Sequence, residues 1–600
     1  MNAAVATAIA FAGYVAGYLI YSRYLSERVF ELRDDVKTPA HALRDGVDYV
    51  PTRPGVLFGH HYASIAGLAP MLGPAVAVIW GWLPAMCWVV VGALFVGCVH
   101  DFGALVVSVR AKGKSIGKVA EGLIGPRAKT LLHIIIFFLV ALAMGVFVYV
   151  IALLFSPNPG SDTTIFGYLG TLFAGSAGPV ASEPPGAASF PQAIIPSFGL
   201  MLIAATIGWL GFKKGVSWKV MTPIGFVLLL VLIWVAQLDS VMAATMLADP
   251  DIAPGTAGWS HVLLFYAFLA SVLPVWSLLQ PRDFLNCLLL YLGLGSVYLG
   301  LFVMAPEFSA PAVRPNPEGA PSLFPFVFIV IACGAASGFH SLVSSGTSAK
   351  QLDRETDARL IGYGGMIGES LLGLVAVLAT TAGITSVAEW NEAYANWGQA
   401  GSLGAKIGNF INGCATFLGS LGIPKEIGAS FISVFVVSYA LTSLDSATRL
   451  LRYNVEEIGE TLGLKFFDNR YLSSMVAVGA IGFFAFYEVD GKPAGLVLWQ
   501  LFGTTNQIMA ALALLVVTLY LLVRQKPWWV AGIPMVGMLV TTITAMFSNA
   551  KTFLEGENWL LFGVGTFLLV LALWLVVEAG LAVARYRERQ EKVEALDIDI

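Results

Sequence analysis

Charge is what this sequence has least of. Only 12% of its 600 residues are Asp, Glu, Lys or Arg, against about 25% in a soluble domain, whose surface must face water. That excludes a string of soluble domains, the usual expectation for this length. Cysteine is scarce too. The five present (Cys87, Cys98, Cys287, Cys333, Cys414) lie in or beside apolar segments without a CxxC or ribbon spacing, so neither a disulfide framework nor a cysteine-based zinc site is expected. Basic residues are outnumbered, 34 against 38 acidic, for a net charge of −4, and no nucleic-acid patch is advertised. Enzyme motifs are missing as well. Gly113-Lys114-Ser115 mimics the end of a phosphate loop, but Ser108 stands where its first glycine belongs, no HExxH occurs, and Gly293 and Gly295 lack the third glycine of a dinucleotide fingerprint. The chain is expected not to be an enzyme and to need no cofactor, with an ion gradient as its energy source.

What is present is apolar residues, 57% of the chain, with a mean hydropathy of +0.78. A hydrocarbon core takes about 20 apolar residues per helix. That rule predicts fifteen spans: 3–22, 56–79, 83–109, 131–155, 192–210, 220–238, 258–280, 284–305, 323–343, 360–385, 427–447, 471–488, 495–522, 530–547 and 557–582. The first has no basic leader and reads as a permanent helix. Lys and Arg concentrate in alternate loops, at 23–54, 110–130, Lys213 to Lys219, Arg282, Lys350 to Arg359, Arg449 and Arg452, while 156–191, 239–257 and 386–402 carry none. Cytoplasmic loops are the basic ones. The alternation sets the N-terminus outside and the C-terminus, with Arg585, Arg587, Arg589 and Lys592, inside. Residues 403–420 are expected as an interfacial or re-entrant helix, and loops 156–191 and 306–322 as irregular. Trp80, Trp82, Trp528 and Trp529 read as an interfacial belt.

Spans two to six start inside and seven to eleven outside, the five-plus-five topology of an inverted-repeat, LeuT-like transporter. The expected organisation is a peripheral first helix and loop (1–54), a first repeat (55–240), a second repeat (258–447) and peripheral C-terminal helices with a tail (471–600). Span two carries Gly67, Pro70, Gly73 and Pro74 in mid-membrane. Span seven carries Pro274 between Ser271 and Ser277. Proline removes a helix donor and glycine weakens the helix. Interrupted helices at matching positions mark a substrate site, so these seven residues are the candidate substrate cradle, the two breaks facing each other.

Ionisable residues inside the membrane are functional hypotheses by default. The set is His60, His61, His100, Asp101, His340, Glu369 and Asp445, with hydroxyls at Ser341, Ser344 and Ser345. One reading is a coupling site, with histidine and aspartate suiting a proton relay and hydroxyls suiting sodium. A second is a bound transition metal on His60, His61, His100, Asp101 and His340, although adjacent helical histidines point about 100° apart. The third is capping of helix ends, which for Asp445 would pair it with Arg449. For Glu369 a helix-packing hydrogen bond is favoured, and Asn506 and Gln507 read as glue between helices.

The runs GHHYASIAGLAPMLGPAVAVIWGWLP, VHDFGALVVSVRAKGKSIG, CGAASGFHSLVSSGTSAKQL, ETDARLIGYGGMIGES, LTSLDSATRLLRYN and LWQLFGTTNQ follow one another between about residues 55 and 525. They resemble the carbon starvation protein A family. The resemblance implies a bacterial inner-membrane transporter of the amino acid–polyamine–cation superfamily, taking up pyruvate with protons, with peptides as the alternative substrate. It leaves this chain's substrate, oligomeric state and choice of proton or sodium open. A membrane-embedded metal-dependent enzyme or sensor using the same histidines is the contrasting hypothesis.

Overall fold

The computed structural model describes residues 2–158, 161, 163–174, 189–489 and 492–585. Among the described residues the regular structure is helical apart from a two-stranded antiparallel hairpin, Glu488–Val489 with Lys492–Pro493. Its main helices are α1 (Ala3–Val29), α2 (Pro54–Ile65), α3 (Ala69–Trp80), α4 (Trp82–Arg110), α5 (Pro126–Phe155), α6 (Pro191–Lys214) and α7 (Trp218–Val235). Then follow α8 (Thr256–Val272), α9 (Leu279–Met304), α10 (Leu323–Val330), α11 (Gly338–Gly346), α12 (Glu355–Thr381) and α13 (Leu403–Gly419). The last five are α14 (Lys425–Leu462), α15 (Arg470–Phe486), α16 (Ala494–Val523), α17 (Trp529–Glu555) and α18 (Trp559–Ala584). Among the described residues eleven helices are long and apolar enough to cross a membrane, or twelve with the bent pair α2–α3. Helices α8 and α15 are apolar but shorter. Length and apolarity alone therefore do not reach fifteen, and the expected span 323–343 is divided between α10 and α11.

The two divided helices set the centre of the molecule. α2 stops at Ile65 because Ala66 leaves helical geometry (φ −77°, ψ 65°), and α3 restarts over Pro70, bent by 49°. Proline is tolerated in a first turn, where its missing N–H has no intrahelical partner to lose. α10 stops at Val330, Gly334 sits at φ +88°, and α11 restarts at Gly338. The two breaks interlock through glycine. A side chain on Gly73 would meet the Val330 carbonyl at 2.4 Å, and one on Gly334 would come within 3.7 Å of Pro70 Cβ. Around them stand the long helices α5 and α14, which pack on each other. α5 is a 30-residue unbroken apolar run, and α14 a 38-residue helix closed by left-handed Gly463.

Several expectations change here. The stretch holding Ser271, Pro274 and Ser277 does not face the α2–α3 break. Ser271 is in the last turn of α8, bound to Ser474 on α15, and Pro274 and Ser277 are in the short turn before α9, where Val275 N–H binds the Val47 carbonyl and Trp276 the Gly46 carbonyl. The second interruption facing α2–α3 is 331–337, which has glycine but no proline. Residues 403–419 form a helix that is not among the candidate spans, packed against α14, α9 and α12 with Phe410, Ile411 and Cys414 buried. Residues 165–174, inside a loop expected as irregular, are helical, while 175–188 of that loop and the tail residues Arg587, Arg589 and Lys592 lie outside the described residues. Trp80 and Trp82 are buried, Trp80 donating to the Pro321 carbonyl, whereas Trp528 and Trp529 are half exposed as a belt requires. Arg282, Arg449 and Arg452, counted as loop charges, are buried inside helices.

Candidate functional site

A cavity of about 20 Å³ lies where the breaks meet. Gly67, Ala69 and Pro70 of the first break, Cys333 of the second, Met144 and Phe147 of α5 and Ser443 of α14 line it. It has room for about one water, so the structure is closed around its centre. Gly67 allows α14 to come close, since a Cβ there would sit 2.6 Å from Ser443 Oγ. The breaks leave backbone polar groups without helical partners, and such groups in a membrane protein must be satisfied by protein. α16 does this. Asn506 accepts from Phe339 N–H at 3.0 Å and donates to Ser337 Oγ at 3.0 Å, while Gln507 donates to the Phe328 carbonyl at 2.7 Å. The two amides thus serve the interrupted backbone, more than simple helix glue.

Beside the cavity runs a buried chain of ionisable groups. Asp101 on α4 accepts from His100 Nδ1 at 2.7 Å through one oxygen and from His340 Nδ1 at 2.9 Å through the other. A carboxylate can only accept, so both Nδ1 atoms carry the hydrogen and both Nε2 atoms face onward. His340 Nε2 lies 3.3 Å from Glu369 Oε2 on α12. Glu369 is fully buried, and neither of its oxygens has a hydrogen-bond donor. A neutral His340 would leave two lone-pair acceptors facing each other, an arrangement that is costly in a low-dielectric interior. One proton between them, on Nε2 or on the carboxyl, removes the conflict. His61 reaches the same region, its Nδ1 2.8 Å from Ser348 Oγ, with Nε2 unpartnered.

His60, one residue away on α2, belongs to a second cluster. Its Nδ1 lies 2.5 Å from Asp283 on α9. Asp283 also receives Arg282 Nε at 2.9 Å, and Arg282 pairs with Asp445 of α14 and donates to Tyr266 at 2.7 Å. Tyr266 donates to Asp445 as well. All five side chains are buried. Asp445 thus pairs with Arg282, not with Arg449, which instead holds Asp48 at 2.8 Å. Arg282 and Asp283 escaped the sequence reading as site residues because 281–283 looked like an inter-span loop, whereas the chain turns earlier, at 273–278, and α9 begins at Leu279. An Arg–Asp pair flanked by apolar runs was the signal available.

The ionisable set thus falls into two clusters, and the five residues offered as metal ligands do not converge. Among the described residues the ligand atoms that do come together are those of Cys333, His340 and Glu369, all within 4.8 Å of one another. The expected hydroxyl donors are largely committed to backbone. Ser341 donates to the Gly338 carbonyl at 2.7 Å and Ser345 to the Ser341 carbonyl at 2.6 Å, while Ser344 Oγ is unpartnered.

The sequence profile described as carbon starvation protein CstA matches residues 2–389 and 379–545. The chain belongs to that family. A peptide transporter CstA from Helicobacter pylori strain J99 is 32% identical over 88% of this chain and 79% of its own length. The peptide transporter CstA of Escherichia coli K12 is 30% identical over 90% and 80%, and the pyruvate/proton symporter BtsT of the same strain is 30% identical over 89% and 80%. Among solved structures a manganese transporter from Eremococcus coleocola aligns over 91% of this chain and 99% of its own, at 11% identity and a TM-score of 0.43. The family, its transporter relatives and the apolar helices make this a multi-pass membrane protein of a transporter family.

Proposed function

We propose that the protein imports a small carboxylate, pyruvate foremost, by proton symport across a bacterial inner membrane, with its N-terminus outside. One observation carries this reading: a fully buried, donor-less Glu369 facing His340 Nε2 at 3.3 Å, beside the cavity where two broken helices meet. Cys333 belongs to both, lining the cavity and lying within ligand distance of His340 and Glu369. A proton bound there couples to solute bound at the breaks, because both use the 331–340 segment. A carboxylate suits the freed N–H groups at the start of α3.

The repeats that rock around this site are best paired by their broken helices. α2–α3 heads one and α10–α11 the other, with α6 and α7 as an insertion. Matching contacts support the pairing: α2 packs on α9 as α11 packs on α16, and α8 packs on α14 as α15 packs on α5. This moves the second repeat from the expected 258–447 to begin near 323. The test of function is uptake of labelled pyruvate into proteoliposomes under a pH gradient or a sodium gradient imposed separately. Accumulation on the pH gradient alone is expected. Accumulation on sodium alone, or none on either, refutes the proposal.

A further inference from the structure

Three side chains of different chemistry converge beside the central cavity. Cys333 comes from the irregular 331–337 break, His340 from the first turn of α11 and Glu369 from the middle of α12. All three are buried, and one ligand atom from each lies within 4.8 Å of the other two. Nitrogen and oxygen donors on one tetrahedral zinc-sized ion stand about 3.3–3.4 Å apart, and His340 Nε2 lies 3.3 Å from Glu369 Oε2. A sulfur on the same ion would stand about 3.6 Å from each, so Cys333 Sγ has on the order of 1 Å to close from a separation of at most 4.8 Å. A side-chain rotation on non-helical backbone supplies that.

The surroundings support a ligand set. A metal-bound imidazole gives its other N–H to a carboxylate, which fixes the tautomer and makes the free nitrogen a better ligand. Asp101 does this for His340. It accepts from Nδ1 at 2.9 Å and leaves the Nε2 lone pair, which has no hydrogen-bond partner, facing Glu369. Asn506 Nδ2 lies 3.6 Å from Cys333 Sγ, an N–H donor that suits a thiolate. The charges balance as well. A divalent ion with one thiolate and one carboxylate is neutral, and net charge is what a low-dielectric interior penalises. As the sulfur–metal bond forms, the Cys333 thiol gives up its proton, and the proton held between His340 and Glu369 is released with it. The adjoining cavity has room for about one water, which leaves a fourth position beside Cys333.

We infer that Cys333 Sγ, His340 Nε2 and Glu369 form an intramembrane site for a thiophilic divalent cation of the zinc class, which takes the place of the coupling proton and holds the transporter closed. One sulfur, one imidazole nitrogen and one carboxylate suit zinc, whereas magnesium and calcium take oxygen ligands. The regulatory consequence rests on the symport reading above; the existence of the site does not. The bound ion ties the 331–337 break and α11 to α12, and no proton can then bind between His340 and Glu369. It enters along the solute path, when the two breaks part.

Cobalt and zinc ions, added alone to the purified full-length protein, test it. Co2+ is expected to bind with a thiolate-to-metal charge-transfer band and the visible bands of a tetrahedral centre, and Zn2+ to displace it, while Mg2+ leaves the spectrum unchanged. Cys333→Ala is expected to lose the thiolate band. Asp101→Asn, which acts through His340 without touching the ion, is expected to keep the band and to weaken binding about 10- to 100-fold. A thiolate band that survives Cys333→Ala, or no band in wild type, overturns the site. Should Cys333→Ala not fold, Glu369→Gln, which keeps the side chain's size, is expected to lose tight zinc binding, and unchanged binding there overturns it equally. Uptake of labelled pyruvate is read in parallel. Zn2+ is expected to stop it and a chelator to restore it; bound metal with uptake that Zn2+ does not slow overturns the regulation. Bound metal with no metal-free uptake sinks the transport reading and leaves the site. Uptake without metal binding sinks the site and leaves the function. Neither binding nor uptake sinks both.

Discussion

Glu369→Gln is the most informative single change. The side chain keeps its size, so the packing of α12 is preserved. The new amide has an N–H that can donate to a neutral His340 Nε2 across the present 3.3 Å, which satisfies the pair without any titrating proton. The fold should therefore survive while the proton step is lost. The magnitude follows from the gradient. One pH unit is about 1.4 kcal/mol per proton, enough for about tenfold accumulation of solute at one proton per molecule. In proteoliposomes with the inside one unit more alkaline, wild type should accumulate labelled pyruvate about tenfold and Glu369→Gln about onefold. Counterflow, which exchanges solute without net proton movement, should persist in the variant. A variant that still accumulates tenfold would show that the proton does not travel through this pair, and the coupling assignment would fall.

Two further outcomes follow from the geometry. Asp48 is pulled up by burial but more strongly down by Arg449, Arg452 and Lys350, so its carboxyl lies well below the usual range; the pairing therefore contributes in full above the ordinary carboxylate value and is lost only as pH falls through the depressed one. Asp48→Asn, which leaves two buried guanidiniums underpaired, should cost about 3 kcal/mol of stability, and the loss of melting temperature should be the same at pH 5.5 and pH 8. A loss present at one of these and absent at the other would refute the sign argument. Asn506→Leu strips Phe339 N–H and Ser337 Oγ of their partners and should destabilise the fold by about 2–4 kcal/mol, read from thermal unfolding in detergent; an unchanged melting temperature would mean that the 331–337 break is held elsewhere.

Much of this arrangement was legible in the residues alone. Proline and glycine together at 67–74 announced the first break, because both weaken a helix through local backbone chemistry that sequence displays directly. The second break was misplaced because Pro274 carries a louder signal than Gly334 and Gly338. Yet proline at a helix end is unremarkable, and what opens the 331–337 segment is the close approach of α3 and α16, a tertiary fact. A side chain on Gly338 would strike the Asn506 carbonyl at 2.3 Å, and no local pattern encodes that distance. His100, Asp101, His340 and Glu369 were found because ionisable residues in apolar runs stand out. Arg282 and Asp283 were hidden because an adjacent charged pair after a proline looks like a loop, and the same positive-inside logic that ordered the spans mistook buried guanidiniums for loop charges.

The placement of His60 and His61 explains why the two clusters should be treated as one device. They are neighbours on α2, yet His60 reaches Asp283 on α9 and His61 reaches Ser348 beyond α11. The roughly 100° between successive helical side chains, which speaks against a shared metal, is what lets a short helix report to both sides. α2 is only 12 residues long, ends at the Gly67 break and carries both contacts. Arg282 is permanently charged and is held by Asp283 and Asp445 together, so that cluster is the fixed side. The His340–Glu369 pair has a proton to gain or lose and is the variable side. A tilt of α2 that relaxes His61 from Ser348 must turn His60 against a rigid, charge-compensated partner. On the proposed symport, a proton gained or lost at the His340–Glu369 pair would act on the cavity at Gly67 through the angle of this helix, so His61→Ala should weaken proton-driven accumulation while leaving the Arg282–Asp283–Asp445 cluster intact.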